Sequence, residues 1–136
     1  MKDKTILLVE DNENDEFLTR RALAKLNIPH ELVVARDGVE ALEYLYGQNA
    51  EDSSHLPVCV LLDLKLPRID GLQVLKEIRS SEKTRILPVM IVTSSSEEID
   101  IKSANQLEAT SYTVKPSDSH DYAETVRKLV RSCLDQ

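Results

Sequence analysis

Short apolar runs and helical periodicities alternate along the chain, five times over. Residues 5–10 (TILLVE), 31–36 (ELVVAR), 58–63 (VCVLLD), 88–93 (PVMIVT) and 111–115 (SYTVK) are rich in β-branched residues and nearly continuous in hydrophobicity. Runs of this length and composition predict strands buried on both faces. The windows between them repeat apolar residues at helical spacing. Residues 14–27 place Leu18, Ala22 and Leu26 on one face, and 38–47 carry Val39, Leu42 and Tyr46. Residues 70–81 turn Leu75 and Ile78 inward, 97–107 make a fourth helix, and 118–134 align Tyr122, Val126, Leu129 and Cys133. Asp37 and Ser96 suit helix N-caps, Glu97 and Glu98 suit a helix N-terminus, and Gly47 suits a helix end. The polar stretch QNAEDSSHL (48–56) reads as a loop.

Strand–helix alternation of this kind implies an α/β fold, a parallel sheet with helices on both faces and right-handed crossovers. Such folds bind ligands outside the carboxyl ends of their strands. The strand ends are therefore where chemistry is to be sought. The first ends at Glu10-Asp11, the third at Asp63, the fourth at Thr93-Ser94 and the fifth at Lys115-Pro116. Each has an ordinary explanation alone. Glu10 and Asp11 could cap the next helix, Thr93 is a common strand residue, and Lys115 could be a solvated charge. Their joint fall on four ends of one sheet is what carries weight.

Three carboxylates gathered there repel one another. At about 4 Å each pair costs on the order of 4 kcal/mol at an effective dielectric of about 20. A hard cation relieves that cost, and Mg2+ prefers a few carboxylates with open positions for water or a phosphoryl oxygen. Lys115 could pair with Asp63 or with a phosphate oxygen, and a Thr93 hydroxyl could donate to a phosphoryl group. Asp63 could then act as a nucleophile and form an aspartyl phosphate.

Size and charge narrow the classes further. A chain of 136 residues suits one domain, 1–136, with a core of ordinary size. With 24 acidic against 17 basic residues the formal net charge is -7, which argues against non-specific DNA or RNA binding. Cys59 and Cys133 stand in apolar contexts and make neither a disulfide framework nor a zinc site. The N-terminal MKDKTILLVEDN has too short an apolar run for a signal peptide, and no run approaches the ~18 residues of a membrane span. A cytoplasmic location without membrane partners is expected.

The motifs LLVEDN (7–12), ARDGVEAL (35–42), LLDLKLPRIDG (61–71), PVMIVTSS (88–95) and SYTVKP (111–116) resemble the receiver domain of two-component response regulators. They span nearly the whole chain in the family's order and spacing. The resemblance implies a (βα)5 doubly wound, flavodoxin-like five-stranded parallel sheet. It implies Asp63 as phosphoacceptor, Asp11 as a direct Mg2+ ligand and Glu10 acting on the metal through water. It implies that Lys65 offers its backbone carbonyl to the metal, that Thr93 and Lys115 bind the phosphoryl group, and that Tyr112 is the aromatic switch. It also implies a cis Lys115–Pro116 bond. The segments EDNENDEFLTRRAL (10–23) and LKLPRIDGLQVLKEIR (64–79), with the polar stretch before the third strand, resemble a narrower group: small single-domain regulators beside phytochrome-type histidine kinases.

Several positions depart from the family pattern. Glu108 or a neighbour stands where Gly is frequent, so another turn geometry is expected before the fifth strand. Ser117 replaces an apolar residue after Lys-Pro, which would loosen the start of the last helix. Ser94 keeps access to Asp63 open, and Lys65 and Ser95 stand at positions that tune phosphoryl lifetime in the family.

The function implied is a stand-alone receiver without an output domain. It would accept a phosphoryl group from a sensor histidine kinase and switch the face formed by the fourth helix, fifth strand and fifth helix, with homodimerisation as one output. It would not be a dedicated enzyme. An Asp-nucleophile phosphohydrolase would want a second Asp two residues on, where Lys65 stands. A flavodoxin-like electron carrier is disfavoured by the acidic EDNEND after the first strand, which would repel a cofactor phosphate. A degenerate, unphosphorylated receiver used as a binding module is disfavoured by the complete set Glu10, Asp11, Asp63, Thr93 and Lys115.

Overall fold

A computed structural model describes residues 4–47 and 56–135. Its elements run β1 (Lys4–Val9), α1 (Glu13–Ala24), β2 (His30–Ala35), α2 (Gly38–Tyr46), β3 (Cys59–Leu62), α3 (Gly71–Ser80), β4 (Val89–Thr93), α4 (Glu98–Gln106), β5 (Ser111–Val114) and α5 (Ser119–Leu134). All five strands are parallel, in the order β2-β1-β3-β4-β5. This is the parallel α/β sheet that the alternation predicts, in the doubly wound (βα)5 form that the resemblance implies. Except for Leu56, the predicted polar loop 48–56 lies outside the described residues.

The central strands read as unbroken apolar runs because each face of the sheet is covered. Alternate residues divide between two cores. Leu7, Val9, Val60, Leu62, Val89 and Ile91 face α2 and α3, where they meet Ala41, Leu45, Val74, Leu75 and Ile78. Ile6, Leu8, Cys59, Leu61, Met90 and Val92 face α1 and α5, where they meet Ala22, Leu23, Tyr122, Val126 and Val130. Burying one Val, Leu or Ile side chain stabilises the fold by about 1.5–3 kcal/mol. A polar residue is therefore tolerated only where a strand emerges.

Helix registers differ from expectation in detail. In α2 the deepest residues are Gly38, Ala41 and Leu45, while Val39, Leu42 and Tyr46 are half-buried. In α5 Val130 and Leu134 are buried, and Leu129 is only partly so. Asp37 caps α2 by accepting from the Glu40 N–H at 2.8 Å. Gly47 follows α2 with φ −78°, so it closes the helix without a left-handed cap. Ser96 does not cap α4. The N-cap is Glu97, whose side chain makes no capping bond. Ser95 does this work instead: its Oγ accepts from the Glu97 N–H at 3.3 Å and donates to Asp100 Oδ2 at 2.5 Å. Ser95 rather than Ser96 supplies the hydroxyl because Ser95 is buried and turned inward, whereas Ser96 is exposed.

The turn before β5 also differs from expectation. Glu108 adopts φ 62°, the left-handed conformation that Gly favours. A non-glycine residue in that geometry costs about 1–2 kcal/mol. Arg79 braces the turn, its Nε donating to the Glu108 carbonyl at 3.1 Å. Cys59 and Cys133, distant in sequence, are both free and buried in the α1/α5 core. Their mutual hydrogen bond and burial push the Cys59 thiol upward, while the same bond draws Cys133 down to about 7.

Candidate functional site

The order β2-β1-β3 places the reversal of strand order between β1 and β3, where a crevice opens beyond the strand ends. Asp63 follows β3 directly, its N–H bonded to the Val9 carbonyl at 3.1 Å, so it stands beside the end of β1. Glu10 and Asp11 follow β1, and the Glu10 N–H is held by the Ala35 carbonyl at 3.0 Å. Lys115 follows β5, its N–H donating to the Thr93 carbonyl at 2.7 Å.

The loop after β3 is locked by two residues. Asp70 caps α3 by accepting from the Gln73 N–H at 3.0 Å. Gly71 donates its N–H to the Leu64 carbonyl at 2.8 Å. A Cβ at position 71 would lie 2.3 Å from the Asp63 carbonyl oxygen, so only Gly allows α3 to start this close to the strand end. The motif LLDLKLPRIDG therefore encodes both a carboxylate and the packing that fixes its backbone.

Glu10 and Asp63 are buried at 2% and 6% exposure, and Asp11 is exposed. Lys115 Nζ donates to Glu10 Oε1 at 2.8 Å, to Asp63 Oδ2 at 2.9 Å and to Asp15 Oδ2 at 2.7 Å. The other Asp63 oxygen, Oδ1, accepts from the Lys65 N–H at 3.2 Å. Glu10 Oε2 accepts from the Asn12 N–H at 3.2 Å. Burial pushes the Glu10 carboxyl up to about 7; the Asp63 charge adds to this and the Lys115 hydrogen bond opposes it. Burial alone would weaken the Lys115 ammonium, but its bonds to Asp15, Glu10 and Asp63 more than offset that and hold its pKa well above the usual lysine value.

Ligand oxygens from Glu10, Asp11 and Asp63 all lie within 4.8 Å of one another. Hard oxygen donors at this spacing, two buried and one facing solvent, fit a divalent cation such as Mg2+ that keeps open positions. The Lys65 side chain is exposed, and Lys65 shares an open depression with Asp11, Leu64 and Asp70.

Thr93 is wholly buried, its Oγ1 accepting from the Ser95 N–H at 3.4 Å. The half-buried Tyr112 donates its hydroxyl to the Ser95 carbonyl at 2.9 Å. Ser95 thus joins Thr93, Tyr112 and the start of α4. Ser94 and Ser117 are exposed. The Lys115–Pro116 bond is trans, contrary to the expectation of a cis form. Lys115 reaches its carboxylates from this isomer, the one X–Pro bonds prefer by about 0.5–1 kcal/mol.

The structure brings Glu10, Asp11, Asp63 and Lys115 together, with Thr93 at the end of β4 and Lys65 on the loop after β3. Sequence reasoning missed Asp15. The available signal was the helix start: with Asn12 as N-cap, Asp15 is the third helical residue, and side chains there lean back toward the N-terminus and the strand ends.

The chain matches the family model described as response regulator receiver domain over residues 6–127. It belongs to the response regulator receiver family. Probable methanogenesis regulatory protein FilR2 of Methanothrix harundinacea (strain 6Ac) is 40% identical over 124 residues, covering 91% of this chain and 79% of FilR2. Response regulator Rcp1 of Synechocystis sp. is 36% identical over 126 residues, covering 93% of this chain and 86% of Rcp1. The crystal structure of its Mn2+-bound form superposes with a TM-score of 0.89, covering 98% of this chain and 96% of the other. The phosphorylated cyanobacterial phytochrome response regulator RcpA, 36% identical, superposes with a TM-score of 0.90 over 98% of this chain and 95% of its own. Among the described residues, no helix of this receiver is long and apolar enough to cross a membrane.

Proposed function

We propose that Asp63 of this receiver accepts a phosphoryl group from a histidine kinase and that the charge gained there switches a partner-binding surface. The observation that carries the proposal is the single ammonium of Lys115 bonded to Asp63 and Glu10 at the sheet's switch point, with Asp11 alongside. An Asp63 oxygen attacks phosphorus, the bond from phosphorus to the kinase's imidazole nitrogen breaks, and that nitrogen keeps the electron pair. Lys115 and the Thr93 hydroxyl bind the phosphoryl oxygens. Glu10, Asp11, Asp63 and the Lys65 carbonyl would hold Mg2+, which supplies charge neutralisation to the phosphoryl group when bound.

The readout would run through Ser95. Drawing Thr93 toward the new charge pulls on the Ser95 N–H, and Ser95 holds both the Tyr112 hydroxyl and the start of α4. Ile99 on α4 and Val114 on β5 are 70% and 41% exposed, which supports the α4–β5–α5 face as a dimer or partner surface. That RcpA, a cyanobacterial phytochrome response regulator, is phosphorylated supports a phytochrome-type sensor kinase as donor. In this role the chain is an acceptor rather than a dedicated enzyme.

The test is incubation with acetyl phosphate and Mg2+, read by intact mass, beside Asp63→Asn and a metal-free control. The expected result is a gain of one phosphoryl group that needs both Mg2+ and Asp63. Absence of the adduct together with failure to form a beryllofluoride complex would overturn the proposal in favour of a degenerate receiver.

A further inference from the structure

We infer that Asp15 is a positioning residue for phosphoryl capture, the carboxylate that keeps the Lys115 ammonium aimed at Asp63 when its other two partners are engaged elsewhere. The inference rests on the receiver chemistry proposed for Asp63. An ammonium has three N–H donors, and Lys115 gives all three to carboxylates: Glu10 at 2.8 Å, Asp63 at 2.9 Å and Asp15 at 2.7 Å. Two of those acceptors belong to the cluster that fits a cation, together with Asp11. Asp15 does not. A cation at that cluster competes for the oxygens of Glu10 and Asp63, and phosphorylation turns the Asp63 carboxylate into an acyl phosphate. Asp15 alone is left unchanged by both events.

Asp15 is itself well held. Its N–H donates to Asn12 Oδ1 at 3.0 Å, which locks the first turn of α1. The positive end of the helix dipole favours its charge. The helix beneath it is fastened to the sheet by Ala22 and Leu23 in the core shared with Tyr122 and Val126 of α5. The Asp15 side chain is 19% exposed and that of Lys115 is 12% exposed, so their contact is sheltered from water. Lysine is a point charge on a flexible four-carbon stem, and a fixed acceptor is what restricts where its head can go. With Asp15 in place, phosphoryl oxygens arriving at Asp63 meet an ammonium already beside them. Without it, the head is free to follow solvent once Glu10 and Asp63 are occupied.

The test compares wild type, Asp15→Asn and Asp15→Ser, each shown to be folded by its amide NMR spectrum. Beryllofluoride with Mg2+ is the titrant, and the Lys115 ammonium 15N–1H signal is followed in the metal-free protein and in the complex. Expected is an affinity weakened about ten-fold in both variants, with the ammonium signal of the complex lost to fast exchange. A residue serving only the helix terminus would shift the melting temperature and leave both readouts unchanged. Binding within about two-fold of wild type with the ammonium signal retained would overturn the inference and leave the receiver reading intact. Failure of wild type both to bind beryllofluoride and to gain a phosphoryl group from acetyl phosphate would overturn both.

Discussion

The starts of α3 and α4 occupy neighbouring positions on one edge of the molecule, yet they are held in opposite ways. α3 begins with a side-chain cap from Asp70 and a glycine pressed against the Asp63 carbonyl, and it buries Gly71, Val74, Leu75 and Ile78. α4 begins at Glu97 with no side-chain cap, buries Ala104, and leaves Ile99 70% exposed. Its tethers converge on Ser95, two residues beyond Thr93. In the proposed switch, the carboxylate that would react thus sits on a tightly packed frame. The element that would report sits on a few hydrogen bonds, each worth about 0.5–1.5 kcal/mol net. A switch needs both, since a nucleophile must keep its geometry while the readout must change its own.

The contrast can be broken most forcefully at Gly71. Gly71→Ala is expected to cost about 3 kcal/mol, because the new Cβ meets backbone and neither side can yield without moving Asp63. Urea unfolding measures the loss. A cost below about 1 kcal/mol would mean that the frame is softer than its contacts imply.

A second test addresses the buried acid of that frame. Glu10 holds its proton up to about 7, above the ordinary carboxyl value of 4.5. Between those values the folded protein binds a proton that the unfolded chain has already released. Stability set by Glu10 therefore falls as pH rises from about 4.5 to 7, by on the order of 3 kcal/mol, and is flat above. Lys115, raised from an ordinary value of 10.5, contributes fully and constantly across this window. Unfolding midpoints at several pH values should show the decline in wild type and its loss in Glu10→Gln. Parallel profiles would remove Glu10 as the cause.

The smallest effect sharpens the contrast at the caps themselves. Asp70→Ala should cost about 1 kcal/mol, whereas Glu97→Ala should stay within about 0.5 kcal/mol. Equal losses by thermal melting would show that α4 is capped as firmly as α3.

The elements were legible because central strands of a doubly covered sheet cannot hide their apolar runs. Asp37 was legible as a cap because a short acidic residue before a helical pattern has few other uses. Helix rotation was harder to read: α2 offers Val39, Ala41, Leu42, Leu45 and Tyr46 on overlapping faces, and the packing of α2 against α3 and the sheet chooses Ala41 and Leu45. Ser95 and Ser96 are alike by composition, and only the inward turn after β4 tells them apart. The departure of Glu108 from glycine suggested a different turn, yet the backbone kept its left-handed geometry and the residue bears the strain.

By itself, the order of residues determined the strand–helix alternation and which side chains stand at the strand ends. Those follow from period and punctuation, which are local. The tertiary structure decided that Asp15 joins Glu10 and Asp63 on one lysine, that Lys115–Pro116 is trans, and that Cys59 lies against Cys133. These depend on where helices settle on the sheet and on competition among partners distant in sequence, and no local pattern carries that information.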